Sequence, residues 1–437
     1  MNNDLAGLFL SIMTPNNSYA DCLKAMFGLR RFGIKLGLDV IRKILAGLGN
    51  PQKKFSSIHI AGTNGKGSIA ASLSSILHES GYKVGLYTSP HLVRFNERIS
   101  INNSPVSDDC ILEAYNAVQN IDAGDRELTF FEFATAMAFY EFNRQNVDWA
   151  IIETGMGGRL DATNIIKPVI SIISNISLEH RAYLGDKLSE IAFEKGGIIK
   201  KNSPVIIGAK QKSVVSVLKD IAAEKSAPFY AHGKDFNTRL CKNEQFTYFG
   251  MENTWRNMQT SLMGKHQIDN ASLVLAACEL LNQNGADIQL GSIKEGLLKT
   301  KWPGRLEKIS DSPVIILDGA HNLIAARRLA EFLVQNIARE KLTLVVGILD
   351  DKPYSAMLRS LLPTCSRVIL TSPKIDRTLG AEKLYPIAKE VIDDVTIIHD
   401  VNMAVAHAIK TVSPDEAVCI AGSLYVIGEA KEAISRL

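Results

Sequence analysis

The chain has 437 residues, 22% of them charged and 46% hydrophobic, and this length exceeds one ordinary core, so we expect two domains. The net charge of +3 argues against a nucleic-acid or membrane partner, and no apolar run reaches the roughly 18 residues needed to span a bilayer. The N-terminal stretch lacks a basic segment before its apolar residues, and the six cysteines form no CxxC pair. We expect a cytoplasmic protein with reduced thiols, and we expect it to be a monomer.

The first strong motif along the chain is the segment 57–68, with the sequence SIHIAGTNGKGS. The β-branched run Ser57–Ala61 predicts a strand, the glycine-rich residues 62–67 predict a loop, and Ser68–Ser80 predicts a helix. Strand, glycine loop and helix in this order cradle nucleotide phosphates, because backbone N–H groups and the helix N-terminus face the anion. Lys66 would then reach the β- and γ-phosphates.

This loop departs from the usual P-loop pattern in two places. Ile60 stands where the pattern has its first glycine, and Gly67 stands where a serine or threonine directly follows the lysine. An ordinary turn before a helix is the alternative interpretation. We favour the phosphate loop because the flanking strand and helix are what the motif requires.

Polar side chains stand at or after the ends of three further predicted strands: Ser89, Glu153 and His180. Because the carboxyl ends of parallel strands meet at one edge of a sheet, we expect these residues near the phosphate loop. A carboxylate and a hydroxyl beside bound phosphates are natural ligands for Mg²⁺. Each also has a structural alternative, since serine and glutamate cap loops and a lone histidine is more often structural than a ligand.

The remaining patterns of the first 300 residues complete a predicted parallel sheet. Strands are expected at Lys83–Thr88, Trp149–Thr154, Val169–Ser174 and Val205–Gly208, and helices at Phe131–Arg144 and Ser189–Ile199. The segment Phe236–Thr254 mixes aromatic, amide and charged residues and indicates a small antiparallel excursion. Lys195 lies near the end of its helix, where sequence physics alone predicts an exposed, favourable charge.

The pattern changes near Lys301, where Trp302-Pro303-Gly304-Arg305 interrupts any regular element. Strands and helices then alternate from Val314 to Ala421, which predicts a smaller Rossmann-like α/β domain of roughly 130 residues. We therefore divide the chain into a P-loop nucleotide-binding domain with a parallel sheet, 1–300, and the Rossmann-like domain, 301–437. The second domain lacks GxGxxG after its first strand, so we do not expect it to bind a dinucleotide.

The first strand of this second domain, Val314–Asp318, runs into the polar segment Asp318-Gly319-Ala320-His321-Asn322. Several polar groups at the end of a strand are typical of a functional site. A tight turn followed by an asparagine N-cap is the alternative interpretation. Arg305, just after the breaker residues, either reaches a bound phosphate or is a solvated surface side chain.

Together these motifs closely resemble those of the folylpolyglutamate synthase/dihydrofolate synthase family, in the Mur ligase superfamily of ATP-dependent amide-bond ligases. The resemblance runs through most of the chain, in the family's order, and its further motifs are Phe32–Leu38, Ser89-Pro-His-Leu with Glu97-Arg-Ile, Thr129–Glu132, Glu153–Asn164, Glu194-Lys195, His266–Asn270 and Asp351-Lys352. Two residues depart from it: Glu179 stands where the family commonly has aspartate, and Gly196 where it commonly has alanine.

The resemblance implies a role for each matching residue. The phosphates of ATP would be held by Thr63, Asn64, Gly65, Lys66, Gly67 and Ser68, with further ATP contacts from Asn270, Arg305, Asp318 and His321. Two Mg²⁺ ions would be bound by Ser89, Glu153 and His180, and Lys195 would carry a carbamate that assists the second ion. Lys66, His180 and Lys195 are thus the implied catalytic residues. The pterin end of the substrate would lie against Gly33, Ile34, Lys35, Leu36, Thr129, Phe130, Phe131 and Asp161.

The implied reaction is stepwise. ATP phosphorylates a carboxylate to an acyl phosphate, and the amine of L-glutamate then attacks it and releases phosphate. The implied carboxylate substrates are dihydropteroate and the γ-carboxylate of tetrahydrofolate polyglutamates. Two alternatives remain open: a cell-wall ligase acting on a UDP-linked muropeptide, and a non-catalytic nucleotide-binding module. The residues that match the pterin region favour the folate ligase.

Overall fold

The computed structural model describes residues 18–29, 33, 35, 37–124, 126–242 and 244–436. The chain forms two compact units. The first contains the described residues up to His91 together with Phe95–Gln259 and Asn270–Lys299, and the second contains Leu92–Arg94, Thr260–Asp269 and the chain from Thr300 onward. The second unit thus takes in two short segments that a single cut near residue 300 does not capture. Within the described ranges, no helix is long and apolar enough to cross a membrane.

A large sheet forms the centre of the first unit. Its strands are β1 (Ser56–Ala61), β2 (Val84–Tyr87), β3 (Ile99–Ile101), β4 (Ser104–Pro105), β5 (Trp149–Glu153), β6 (Ile170–Ile173), β7 (Val205–Ile207) and β8 (Phe229–Ala231). They lie in the order β4-β3-β2-β5-β1-β6-β7-β8. Neighbours from β2 to β8 pair in parallel, whereas β3 and β4 form an antiparallel edge. The predicted parallel sheet is confirmed, and the two edge strands make it a mixed one.

Helices pack around this sheet. They are Tyr19–Gly28, Asp39–Gly47, Lys66–Glu79, Asp108–Gln119, Phe130–Arg144, Arg181–Leu184, Leu188–Gly196, Lys212–Glu224, Lys265–Gln283 and Leu290–Lys299. The helix Phe130–Arg144 begins with a capping box, in which the Thr129 hydroxyl accepts the Glu132 N–H and the Glu132 carboxylate accepts the Thr129 N–H. The cap fixes where this helix begins.

A small antiparallel sheet follows β8, as the aromatic and polar pattern there predicted. Its strands are β9 (Asn237–Leu240), β10 (Phe246–Phe249) and β11 (Thr254–Met258). The buried carboxylate of Glu279 accepts hydrogen bonds from the Tyr248 hydroxyl at 2.7 Å and the Asn253 N–H at 2.8 Å. Glu279 therefore fastens the turn between β10 and β11 to the helix Lys265–Gln283.

The second unit is built on a six-stranded sheet. Its strands are β12 (Glu307–Asp311), β13 (Val314–Asp318), β14 (Leu342–Val346), β15 (Arg367–Leu370), β16 (Asp394–Ile397) and β17 (Ala417–Ala421), in the order β12-β13-β17-β14-β15-β16. Only β12 is antiparallel to its neighbour. Two apolar clusters flank the sheet, made by the helices Leu323–Asn336, Tyr354–Leu361 and Ala381–Lys389 and by the helices Val401–Thr411 and Leu424–Ile434. This is the predicted Rossmann-like arrangement.

Candidate functional site

The glycine-rich loop after β1 is shaped by two positions at which only glycine fits. Gly62 has a φ of +147°, and a Cβ there would collide with the Ser174 hydroxyl. Gly65 has a φ of +86°, and its Cβ would lie 2.6 Å from Oδ1 of Asn270. Left-handed backbone and close neighbours together exclude larger residues here. The structure thereby places Asn270, one of the expected ATP contacts, directly against the loop.

Two residues that the sequence interpretation missed pin this loop from the end of β6. The side chain of Asn175 donates to the Asn64 carbonyl at 2.7 Å and accepts the Asn64 N–H at 3.1 Å. The Ser174 hydroxyl donates to the same carbonyl at 2.6 Å. A further hydrogen bond fixes Thr63, whose hydroxyl accepts the backbone N–H of Ser177. Ser174 and Asn175 stand at the end of a predicted parallel strand, at the sheet edge that carries the phosphate loop. That position is the sequence feature from which their role could have been predicted.

The helix Lys66–Glu79 begins directly at the loop, two residues earlier than predicted. Gly65, which precedes it, carries no side chain to cap the N-terminus, and Gly67 and Ser68 lie buried in the first turn. Amide groups of such a turn donate well to a phosphate. The Lys66 ammonium group lies 3.0 Å from the Gly62 carbonyl oxygen and 3.9 Å from the Glu153 carboxylate.

Glu153 and Ser89 lie together at the ends of two neighbouring strands, as predicted. Glu153 is 4% exposed at the end of β5, and its Oε2 accepts the backbone N–H of Ser89 at 3.2 Å. Among the described residues, no three histidine, cysteine or acidic side chains converge on one point. This donor set fits Mg²⁺, which is commonly held by one or two carboxylates together with substrate phosphates and water.

Lys195 is buried, so the sequence-based expectation of an exposed charge at the helix end was wrong. Its side chain is 2% exposed, and its Nζ donates to Glu179 Oε1 at 2.7 Å and to the Gly62 carbonyl at 2.9 Å. The helix Leu188–Gly196 packs with its last turn inward, toward the phosphate loop. Glu179, which the sequence interpretation also did not assign to the site, therefore belongs to it.

The surroundings of Glu179 and Lys195 shift the pKa of both side chains. Burial alone would raise the pKa of Glu179, but the charges of Lys195 and Lys66 outweigh it and hold that pKa at about 2. Burial lowers the pKa of the Lys195 ammonium, against the pull of Glu179. The 2.7 Å distance between Nζ of Lys195 and Oε1 of Glu179 indicates an ion pair at neutral pH. His180 adjoins this pair in a left-handed conformation, just before the short helix Arg181–Leu184.

The described residues expected at the pterin end lie on three segments of the chain. Phe130 and Phe131 open the helix that Thr129 caps, and the Phe131 ring packs so tightly on Gly155 that a Cβ there would lie 2.5 Å from it. Asp161 is buried at the end of the glycine-rich loop 155–161. Gly33 and Lys35 precede the helix Asp39–Gly47, and Ile34 and Leu36 lie outside the described residues.

A polar cluster at the end of β13 brings together three expected ATP contacts of the second unit. The Asp318 carboxylate accepts the N–H groups of Leu306 and Ala320, at 2.8 and 2.9 Å. Burial raises the pKa of Asp318, and Arg305 acts against this rise. Nδ1 of His321 lies 2.9 Å from the Gly319 carbonyl and donates to it. Asn322 caps the next helix, so the N-cap interpretation holds for that residue.

Comparisons with known protein families agree with the two units. The Mur ligase middle domain matches residues 60–278. The glutamate ligase domain of Mur ligases matches residues 304–424.

The chain is also similar over nearly its whole length to characterised proteins. It is 37% identical over 426 residues to a dihydrofolate synthase/folylpolyglutamate synthase of Bacillus subtilis, covering 95% of this chain and 99% of the relative. A structure of E. coli FolC in complex with DHPP and ADP has a TM-score of 0.89 at 29% identity, covering 97% and 99% of the two chains. A bifunctional folylpolyglutamate synthase/dihydrofolate synthase from Yersinia pestis, complexed with AMPPNP and Mn ion, has a TM-score of 0.86 at 28% identity, covering 97% and 99%.

Proposed function

We propose that this chain, which belongs to the dihydrofolate synthase/folylpolyglutamate synthase family, joins L-glutamate to dihydropteroate and to the γ-carboxylate of tetrahydrofolates at the expense of ATP. The relatives support this function, because the match spans 99% of the Bacillus subtilis enzyme. The observation that carries the proposal is the position of Lys66, between the phosphate loop and the Glu153 carboxylate.

The residues of the first unit fit the activation of a carboxylate. A carboxylate is a poor electrophile because oxide is its leaving group, and transfer of the γ-phosphoryl group of ATP gives an acyl phosphate with a good one. The amide groups at the start of the helix Lys66–Glu79 would hold the transferring phosphates. The Lys66 ammonium would balance the charge that develops during transfer. The amine of L-glutamate then attacks the acyl carbon, and inorganic phosphate leaves.

Divalent metal ions complete the proposed site. We assign two Mg²⁺ ions to Ser89, Glu153 and His180, with Lys195 assisting the second as a carbamate. Carbamate formation needs the neutral amine, which burial favours and the Glu179 carboxylate opposes. Bound Mg²⁺ supplies charge neutralisation at the phosphates. Asn270, Arg305, Asp318 and His321 are the proposed further ATP contacts. We propose that the enzyme acts as a monomer.

The function is tested by incubating the purified protein with ATP, Mg²⁺ and L-glutamate, and with dihydropteroate or a reduced folate. We expect ADP, phosphate and a product longer by one glutamate with each pterin. A UDP-linked muropeptide serves as the competing acceptor. Product from the muropeptide and none from either pterin would overturn the proposal in favour of a cell-wall ligase.

The proposed metal role of Glu153 gives a separate prediction. Glu153→Gln keeps an acceptor for the Ser89 N–H but removes the negative charge. It should therefore raise the Mg²⁺ concentration needed for half-maximal turnover, and lower turnover, each by about 10- to 100-fold. A Mg²⁺ titration of ADP formation measures the shift, and Glu113→Gln, at a half-exposed surface glutamate, is the control. An unchanged Mg²⁺ midpoint in Glu153→Gln would remove Glu153 from the metal site.

A further inference from the structure

A chain of buried hydrogen bonds leads from β1 to the glycine-rich loop 155–161. His59 is 0% exposed on β1, and its Nε2 lies 2.8 Å from the Thr163 hydroxyl. That hydroxyl lies 2.5 Å from Oδ1 of Asp161, which also accepts the Thr163 N–H at 3.0 Å. The other Asp161 oxygen accepts the Met156 N–H at 2.9 Å. His59 is thereby connected, through two residues, to the backbone of the loop that follows Glu153.

The direction of these hydrogen bonds follows from their chemistry. The Thr163 hydroxyl donates its proton to Oδ1 of Asp161, so its oxygen accepts from Nε2 of His59. Burial, with the charge of Lys200 as a second cause, lowers the pKa of His59 well below its usual value, so the ring is neutral. Its single proton therefore lies on Nε2. Nδ1 is then an acceptor, with no hydrogen-bond partner among the described residues.

An unpaired buried nitrogen costs stability, so core packing alone does not account for a histidine at position 59. An apolar residue would fill this strand position without that cost. What the imidazole adds is a donor aimed at Thr163.

We propose that His59 is a positioning residue that acts through Thr163 and Asp161 to set the loop 155–161 in the geometry that binds the pterin end of the substrate. The inference rests on the proposed function, since the loop meets Phe131 at Gly155 and that ring belongs to the proposed pterin region. Because the contact is so close, a small shift of the loop changes the space beside the ring.

Matched pairs of variants test the hydrogen bonds themselves. Gln at position 59 can place its amide N–H near the Nε2 position, whereas His59→Leu removes the donor. Thr163→Ser keeps the hydroxyl, whereas Thr163→Val removes it at nearly the same volume. We expect His59→Leu and Thr163→Val each to lower kcat/KM for dihydropteroate by about 10- to 100-fold, with the KM for ATP changed by less than about twofold. His59→Gln and Thr163→Ser should retain most of the native kcat/KM for dihydropteroate. The double variant His59→Leu with Thr163→Val should have a kcat/KM no lower than that of the less active single variant.

Amide hydrogen exchange over residues 155–161 gives a second readout that does not depend on turnover. We expect exchange at least about fivefold faster in His59→Leu and Thr163→Val than in the native protein. Unchanged exchange would overturn the inference even if the native protein made no product. Absence of product from the native protein would contradict the proposed function alone. An equal rise in the KM for ATP, or equal losses in His59→Gln and His59→Leu, would also overturn the positioning role.

Discussion

Lys66→Ala should lower acceptor-dependent ADP formation by about 10²- to 10³-fold with both dihydropteroate and a reduced folate. The Lys66 ammonium group lies next to Glu153 and the phosphate loop, and its removal takes away one cation that would balance the developing phosphoryl charge. The loss should appear in kcat more than in the KM for either carboxylate substrate. Steady-state ADP release at varied concentrations of dihydropteroate or of the reduced folate gives both constants, and omission of L-glutamate gives the background.

The control for this variant is Lys299→Ala. Lys299 pairs with Glu79, at the other end of the helix that Lys66 begins, and its side chain is 55% exposed. Exposed pairs contribute little to stability, so Lys299→Ala should leave turnover within about twofold of the native value. Native turnover in Lys66→Ala would remove Lys66 from the mechanism.

Lys195→Met should lower both stability and activity, and for separate reasons. It removes the hydrogen-bonded cation that pairs with the Glu179 carboxylate, which should cost about 3 kcal/mol of the free energy of unfolding. This loss in the free energy of unfolding is at the low end of the range for breaking a buried ion pair, because the Glu179 side chain remains 15% exposed. Turnover should fall by about 100-fold or more if the Lys195 amine serves the proposed metal site. Urea unfolding and steady-state kinetics measure the two losses independently.

A double variant separates the ion pair from the chemistry. Glu179→Gln combined with Lys195→Met leaves no charge to be buried, so most of the lost stability should return. Turnover should stay low, because the amine is still missing. Recovery of both stability and turnover in the double variant would show that the pair is only structural.

The sequence predicted those parts of the site that local pattern determines. The strand before the phosphate loop, and Ser89 and Glu153 at neighbouring strand ends, follow from apolar runs and from the rule that parallel strands end at one sheet edge. The second sheet followed from regular alternation of strands and helices.

The parts that depend on long-range packing were not predicted from the residues. Lys195 looks like an exposed helix-end charge, and only the packing of its helix against the phosphate loop buries it. Its partner Glu179 lies 16 residues earlier in the chain, with no periodic relation to it. His59 was only one residue of an apolar strand, because its partner Thr163 lies 104 residues away. Such contacts are set by which strands become neighbours, and no local pattern carries that information.

The central claim is that ATP is spent on the pterin-linked carboxylate, and transfer of oxygen-18 tests it most directly. Dihydropteroate with both carboxylate oxygens labelled is converted in the presence of ATP and L-glutamate, and the released phosphate is analysed by mass spectrometry. An acyl phosphate passes one carboxylate oxygen to phosphate, so we predict one labelled oxygen in phosphate for each amide bond formed. Product formation with unlabelled phosphate would contradict activation of this carboxylate by ATP.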